Sequence, residues 1–417
     1  MATPYLPSIK VTFDFSNGAG FGVPLQLGDP INGLLGTNTL GVSASQIVDI
    51  SSQIVQINIS GGRNLLQSQF EAARCVVRLL DPNGYWNPQN PSSPYYPNLV
   101  PLRKLRVSAT YSGVTYYLFS GYSATYTYTY PTNQQTGYLT IECFDAFRLF
   151  NMANISTVAG AVAGQDTGAR INAILDQIGW PSTLRAIDTG NTLCQADPAT
   201  NRSALQALKN CEFSEFGAFY VDDAGVATFI NRTNLIKKAA QTALIFNQSG
   251  GIPYKLGVPV LDDKLIVNQA TIGRIGGTPQ IVSDAASQAK YFSHSITQTS
   301  LVLNSDTDAL NLALAYVEAN KETTIRFDSL ALDLSATNSQ SAVTVAALSV
   351  NNFSPVTISN TTPQGSTITK TLQVMGTNHD ITATSWITTL TTAEPIIDGF
   401  ILDSPIYAVL DTAVLAY

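Results

Sequence analysis

His294 and His379 are the only two histidines in this 417-residue chain. They lie far apart, each in a strand-like run, and no His-Glu-x-x-His, Gly-x-Ser-x-Gly or Walker sequence accompanies them. The four cysteines, Cys75, Cys143, Cys194 and Cys211, show neither C-x-x-C nor His-partnered spacing. Cys75 and Cys143 sit in apolar alternating runs and read as small core residues, so neither a disulfide framework nor a zinc site is expected. Asp222-Asp223 could hold Ca²⁺ or share a proton, but a D-D-x-G sequence between two strand patterns is first a hairpin turn. Asp262-Asp263 reads as a strand-edge turn. Glu212 and Glu215 share a helix face, and nothing in the sequence marks either as buried. A glycosidase needs two carboxyls converging on a cleft, and no pair stands out. GRIGGT, Gly273 to Thr278, precedes no helical pattern and reads as a hairpin turn rather than a phosphate cradle. Tyr126, Tyr128 and Tyr130 could stack on sugars, but cross-strand packing explains their spacing. No catalytic, cofactor-binding or metal-binding residue is assigned.

The composition supports this. Charged residues are only 12% of the chain, about half the usual share, while hydrophobic residues are 45%. Ser, Thr, Asn and Gln must then supply the surface, which suits a protein that lives in an assembly and is shared by secreted β proteins. A net charge of −7 argues against a general nucleic-acid binder, which needs a basic footprint. The local cluster Arg103, Lys104 and Arg106 alternates with Leu105 and Val107 and reads as a solvated strand face. MATPYLPSIKVTF lacks a charged region followed by an apolar one, so no signal peptide is expected. No apolar run approaches the ~20 residues that span a bilayer. The expected fold class is mainly β with an α+β insertion: two barrel-like domains flanking a small α+β domain.

The alternation begins at Ile9 to Phe15 and returns from Ile47 to Ile59 and from Ala73 to Leu79. A Gly-rich insertion, Gly18 to Leu40, separates the first two. LLDPNGYWNPQNPSSPYYPNL, Leu79 to Leu99, holds too many prolines for a strand and too many rings for a disordered linker. It is expected to be irregular but ordered, lying across a small closed or half-closed barrel with its rings capping an open end. Two hairpins follow, KLRVSATY with VTYYLFSGY and YSATYTYTY with GYLTIECF, the second turning at PTNQQT. This first β domain spans 1–158. The 159–240 segment changes period. Asp166 and Thr167 can cap a helix with the stripe Ile171, Ile174, Leu175 and Ile178. A second helix runs from about Ser203 to Phe213, and GAFYVDDAGVATFINR makes a hairpin. The 241–395 segment reads as a second barrel-like domain interrupted by one helix, Asp306 to Asn320, with Leu310, Leu314 and Val317 facing inward. An apolar tail, 396–417, is expected to dock.

The stretch from SGGRNLLQSQFEAARCVV through RKLRVSA, followed by YLFSGYSATYTYTYP and TIECFDAFRLF, resembles the minor tail proteins of tailed bacteriophages, the tail-tip or baseplate hub family with tandem barrels. The likeness rests on Gly62-Arg63, Asp81 to Gly84, Asn87 to Asn90, Ser93 to Tyr96, Phe119 to Gly121 and Thr140 to Ala146. It continues through RSALQALKNCEFSEFGAFYVDDAGVATFINR, with its "Glu-x-Gly", and TSWITTLTT followed by LDSPIYAVLDTAVLAY. The resemblance implies a structural, non-enzymatic virion protein, made in the host bacterial cytoplasm. It implies a homotrimer ring joining the tail tube to the tip or spike and letting DNA pass. Implied neighbours are the tail tube or distal tail protein, the tape-measure protein, and tip, spike or receptor-binding proteins. Neither a membrane anchor nor sequence-specific nucleic-acid binding is implied. The rival readings are a carbohydrate-binding adhesin at the tail tip and a cell-wall-degrading tail enzyme.

Overall fold

The fold is that of a computed structural model, which describes residues 6–15, 19, 47–65, 69–130, 137–336, 341–362 and 364–395. The Gly-rich insertion apart from Ala19, the PTNQQT loop and the apolar tail fall outside the described residues.

One 14-stranded sheet forms the frame. Its main strands, numbered in chain order, are β1 (Ser8–Asp14), β2 (Ile47–Asp49), β3 (Ile54–Asn64), β4 (Arg74–Leu80), β5 (Lys104–Tyr111), β6 (Val114–Thr129) and β7 (Tyr138–Phe144). After a largely helical interruption come β8 (Leu244–Asn247), β9 (Leu256–Val260), β10 (Arg326–Asp333), β11 (Pro355–Thr361), β12 (Thr367–Thr382) and β13 (Trp386–Ala393). The first half runs β3-β4-β7-β6-β5-β1, with β2 beyond β1. The second runs β9-β10-β13-β12-β11-β8. The two halves use six strands in the same chain order and the same spatial order, an internal repeat. They differ at the end, where β1 meets β5 antiparallel but β8 meets β11 parallel.

The strands follow from their alternation. Successive side chains point to opposite faces, so one face buries Cys75, Val77 and Leu79 of β4 against Leu139, Ile141 and Cys143 of β7. Tyr126 and Tyr128 pack on this core as the cross-strand reading expected. The two expected hairpins share a strand: VTYYLFSGY and YSATYTYTY are one 16-residue β6. It pairs with β5 through its first part and β7 through its second. β12, also 16 residues long, is used in the same way. The chain is mainly β as its pattern predicts, and strand pairing joins both halves in one sheet.

The proline-rich connector covers the first half. Trp86 is 1% exposed. Its ring stands edge-on to Phe13 at 5.5 Å and packs on Tyr95 at 4.7 Å. Its Nε1–H donates to Gln53 Oε1 at 3.0 Å, so the indole is buried without stranding its donor. Asp81 fixes the entry, accepting from the backbone N–H groups of Tyr85 and Trp86. The matching crossover of the second half, between β10 and β11, carries a helix instead, Ser341–Ser349, whose Val343, Ala346 and Ala347 join the same core.

Between the halves lie the helices α1 (Phe147–Met152), α2 (Thr167–Gln177), α3 (Ala204–Glu215) and α4 (Arg232–Ala239). Asp166 caps α2 and Ser203 caps α3, each accepting from a backbone N–H three residues on. The expected hairpin follows, Ala218–Val221 with Ala227–Ile230. A separate three-stranded sheet then forms within the second half, with Gln269–Arg274 at its centre and α5 (Ala285–Tyr291) and α6 (Asp306–Asn320) beside it. Here the sequence reading needs correction. Helices α5 and Ser341–Ser349 join α6 in this region, so one helix was too few. The buried face of α6 is Ala309, Leu312, Ala313, Tyr316 and Val317, whereas Leu310 and Leu314 are exposed. The aromatic anchors Phe213 and Phe216, packed on Tyr316, turn the helix one step from the face that leucines alone suggest.

Replacing Trp86 by Ala removes a fully buried ring and its hydrogen bond. The unfolding free energy should fall by roughly 3–5 kcal/mol. Urea titration measures it, and a change near zero would refute the closing role of the connector.

Candidate functional site: an inter-half seam and the recess beside it

β12 is the strand on which the two halves meet. Its first part pairs with β11, and one edge of its second part pairs with β13. The other edge of that second part takes β3 of the first half, from Gly376 opposite Gly62 to Thr382 opposite Gln56. Two glycines permit this approach. A Cβ on Gly62 would stand 2.7 Å from Gly376 Cα, and one on Gly376 would stand 2.4 Å from Gly61 O. Side chains are excluded there by backbone contact alone.

His379 lies in the seam, opposite Ile59 on one side and Thr388 on the other. It is buried, and its Nδ1 meets Thr388 Oγ1 at 2.9 Å and Trp386 Nε1 at 3.4 Å. The indole can only donate, so a neutral ring with its proton on Nε2 fits both partners. Burial disfavours the charged ring and lowers its pKa to about 4.

A recess of about 340 Å³ opens beside the seam. Gly61, Gly62 and Thr377 form one wall, Tyr220 to Asp223 another, and Val350 to Asn352 a third. Asp145, Asp222, Asp223 and Lys238 face it. Asp145 accepts from the N–H groups of Ala73 at 2.8 Å and Phe147 at 2.9 Å, yet burial pushes its carboxyl up to about 7. Asp223 keeps exposed surface but sits deep among protein atoms, and desolvation, followed by the charge of Asp222, raises it. Burial lowers Lys238, with Asp188 opposing.

The Asp222-Asp223 turn forms as the sequence suggests. Asp222 Oδ1 accepts from Ala224 N at 3.0 Å and Val226 N at 2.8 Å. The turn has a further use that its sequence did not announce. Ser120 Oγ of β6 donates to Asp223 O at 2.9 Å, and Arg106 donates to Ser120 Oγ at 3.1 Å and to Ala224 O at 3.4 Å. The basic cluster is therefore not a solvated face. Arg106 latches the hairpin to the sheet, and Lys104 is 1% exposed, 3.2 Å from the buried Asp14. Alternation could not reveal this, because the covering groups come from elements distant in sequence.

Glu212 and Glu215 are both buried, which nothing in the sequence marked. Glu215 accepts from Thr167 Oγ1 and from the backbone of Asn191 and Thr192. Glu212 accepts from Phe219 N at 3.1 Å, and burial raises it to about 7. Asp262 is held by Arg326 at 2.6 Å, which keeps its carboxyl down at about 2. His294 lies apart, its Nε2 3.0 Å from Tyr291 O and 3.7 Å from Asp263. Gly273 to Thr278 turns between Gln269–Arg274 and Gln280–Ser283, as expected. The four cysteines are free and buried. Among the described residues no group of three His, Cys, Asp or Glu is arranged to hold a metal ion.

The pH dependence of His379 has a definite sign. Its unfolded value is near 6.5 and its folded value about 4, so the unfolded chain binds the proton more readily between them. Its contribution is complete above pH 6.5 and is lost as pH falls towards 4. Asp145 and Glu212, raised in the fold, act in the opposite sense, so the measurement is a difference between proteins. The stability advantage of the native protein over His379→Gln should shrink by up to roughly 3 kcal/mol across that window. A pH-independent difference in urea midpoints would overturn the neutral-ring assignment.

No family model and no curated protein sequence matches this chain. Solved structures do. The 43 kDa tail protein of prophage MuSo2 from Shewanella oneidensis aligns with a TM-score of 0.54 at 10% identity, covering 93% of this chain and 99% of that one. The tail protein from Neisseria meningitidis MC58 aligns with a TM-score of 0.53 at 10% identity, covering 84% and 94%. In its overall fold this chain is thus similar, over most of its length, to a prophage tail protein and to a second tail protein.

Proposed function

We propose that the chain is a structural component of a phage tail tip or baseplate, or of a phage-derived particle. In this reading it forms a ring-shaped hub between the tail tube and the tip or spike, and DNA passes through the ring. The observation that carries the reading is the internal repeat within a fold matched end to end by a tail protein. A chain with two like halves is suited to a threefold ring that meets sixfold symmetry, since three copies supply six similar units. The partners are then the tail tube or distal tail protein on one side and tip, spike or receptor-binding proteins on the other, with the tape-measure protein inside.

Three of the acids first considered for catalysis have other occupations. Asp222 holds a turn, Glu215 is saturated by donors, and Asp262 is ion-paired. Trp86, the ring an adhesin would most readily present, is spent on the core. The charge-poor surface also favours assembly, where few ions must be desolvated.

Antibody labelling of particles is expected to place the chain at the tail end distal to the capsid. Light scattering of the purified protein is expected to give three times the chain mass. Label elsewhere on the particle, or none, would remove the hub reading. Turnover of cell-wall material abolished by a single acid-to-amide change would replace it with the enzyme.

A further inference from the structure

The internal repeat leaves one operation unfinished. Across the first half, Tyr126, Ile141, Val77 and Ile57 lie opposite one another in a row over β6, β7, β4 and β3. Across the second, Thr377, Leu390, Leu330 and Gly257 form the matching row over β12, β13, β10 and β9. The first row continues, because Ile57 meets Ile381 on the free edge of β12. The second row stops at Gly257. The residue that corresponds to Ile381 of β12 is Tyr130, one step beyond Thr129, the last paired residue of β6.

Both edges are open among the described residues. The β5 side of β6 is paired only as far as Ser123, whose N–H donates to Arg103 O at 2.7 Å and whose carbonyl accepts from Leu102 N at 2.8 Å. Beyond it, Thr125 to Thr129 pair with β7 alone. β9 pairs with β10 alone, apart from one side-chain bond from Asn360 to Gly257 O at 3.0 Å. Leu256, Val258 and Leu261 are 59%, 53% and 63% exposed. Neither segment carries a charge, the usual guard of an open edge. Pro259 removes one donor and leaves the carbonyls.

We infer that β9 of one copy adds to the second part of β6 in the next copy, repeating between chains the seam that β3 and β12 form within one. The occupant is a second copy of this chain, because the contact continues an interface the chain already contains. Transferring the seam's register places Gly257 opposite Tyr130, Val258 opposite Thr129 and Val260 opposite Thr127, antiparallel. The two edges differ, so the contact is head-to-tail and propagates until it closes. This rests on the hub reading and specifies which strands make its ring.

Cysteines at the predicted register test it. Val258→Cys and Thr129→Cys, mixed as single variants under mild oxidant, should give a disulfide-linked dimer that neither yields alone. The double variant should give covalently closed oligomers. A pair four residues out of register, Val258→Cys with Thr125→Cys, should not crosslink. Equal crosslinking by the shifted pair, or by either single variant alone, overturns the inference. Oligomers that form without the Val258–Thr129 crosslink overturn the strand pairing and leave the ring standing, whereas a monomer at the highest soluble concentration removes both. Hydrogen exchange supplies a readout free of mutation. Amides of 125–130 should be protected in the oligomer and open in dilute monomer. Protection in the monomer that disappears on deleting 396–417 would assign the edge to the chain's own C-terminal segment instead.

Discussion

A strand edge presents unpaired N–H and C=O groups, and a fold built from one long sheet must dispose of every edge it creates. β12 solves this inside the chain. It is too long for its own half, and the surplus is taken up by β3. The two halves could meet in other ways, but only backbone pairing along Gly62 and Gly376 brings them this close. Mainly through that contact two six-stranded units become one sheet with a shared core. The recess, the buried His379 and the docked hairpin all lie against it.

Several polar groups buried in this fold are answered by a partner. The charges of Lys104 and Asp14 are buried together, because either alone would carry a large desolvation cost. Arg106, Ser120 and the Asp222–Gly225 turn tie the helical interruption to the sheet through backbone carbonyls. These bonds give direction more than strength. They fix one relative placement of the parts, whereas apolar packing alone would accept several.

The chain also treats its two crossovers differently. Between β4 and β5 a proline-rich segment with Trp86 covers the sheet, and between β10 and β11 a helix does. The repeat thus survives in strand order while its coverings have diverged. Backbone pairing depends little on side-chain identity, whereas a covering segment must match the cavity it fills. This also explains how the fold stays comparable to tail proteins at 10% identity.

Much of the local structure was legible from side-chain types. Alternation marked β4 and β7, Asp166 and Ser203 announced α2 and α3, and the D-D-x-G turn formed where expected. The ring-bearing proline segment declared itself ordered, because burying Trp86 and Tyr95 outweighs its lack of regular bonding. These signals act over a few residues, and periodicity and capping report them directly. What the tertiary structure alone decided was which edges meet and which polar groups vanish from water. Lys104 looked solvated, Glu215 carried no sign of burial, Leu310 looked buried, and β6 looked like two strands. The first three were settled by segments distant in sequence and the last by pairing with β5 and β7, and the six-strand repeat itself is a property of pairing order. Backbone hydrogen bonds carry no residue code, so a strand's alternation states that it must be paired and leaves its partner to the folded chain.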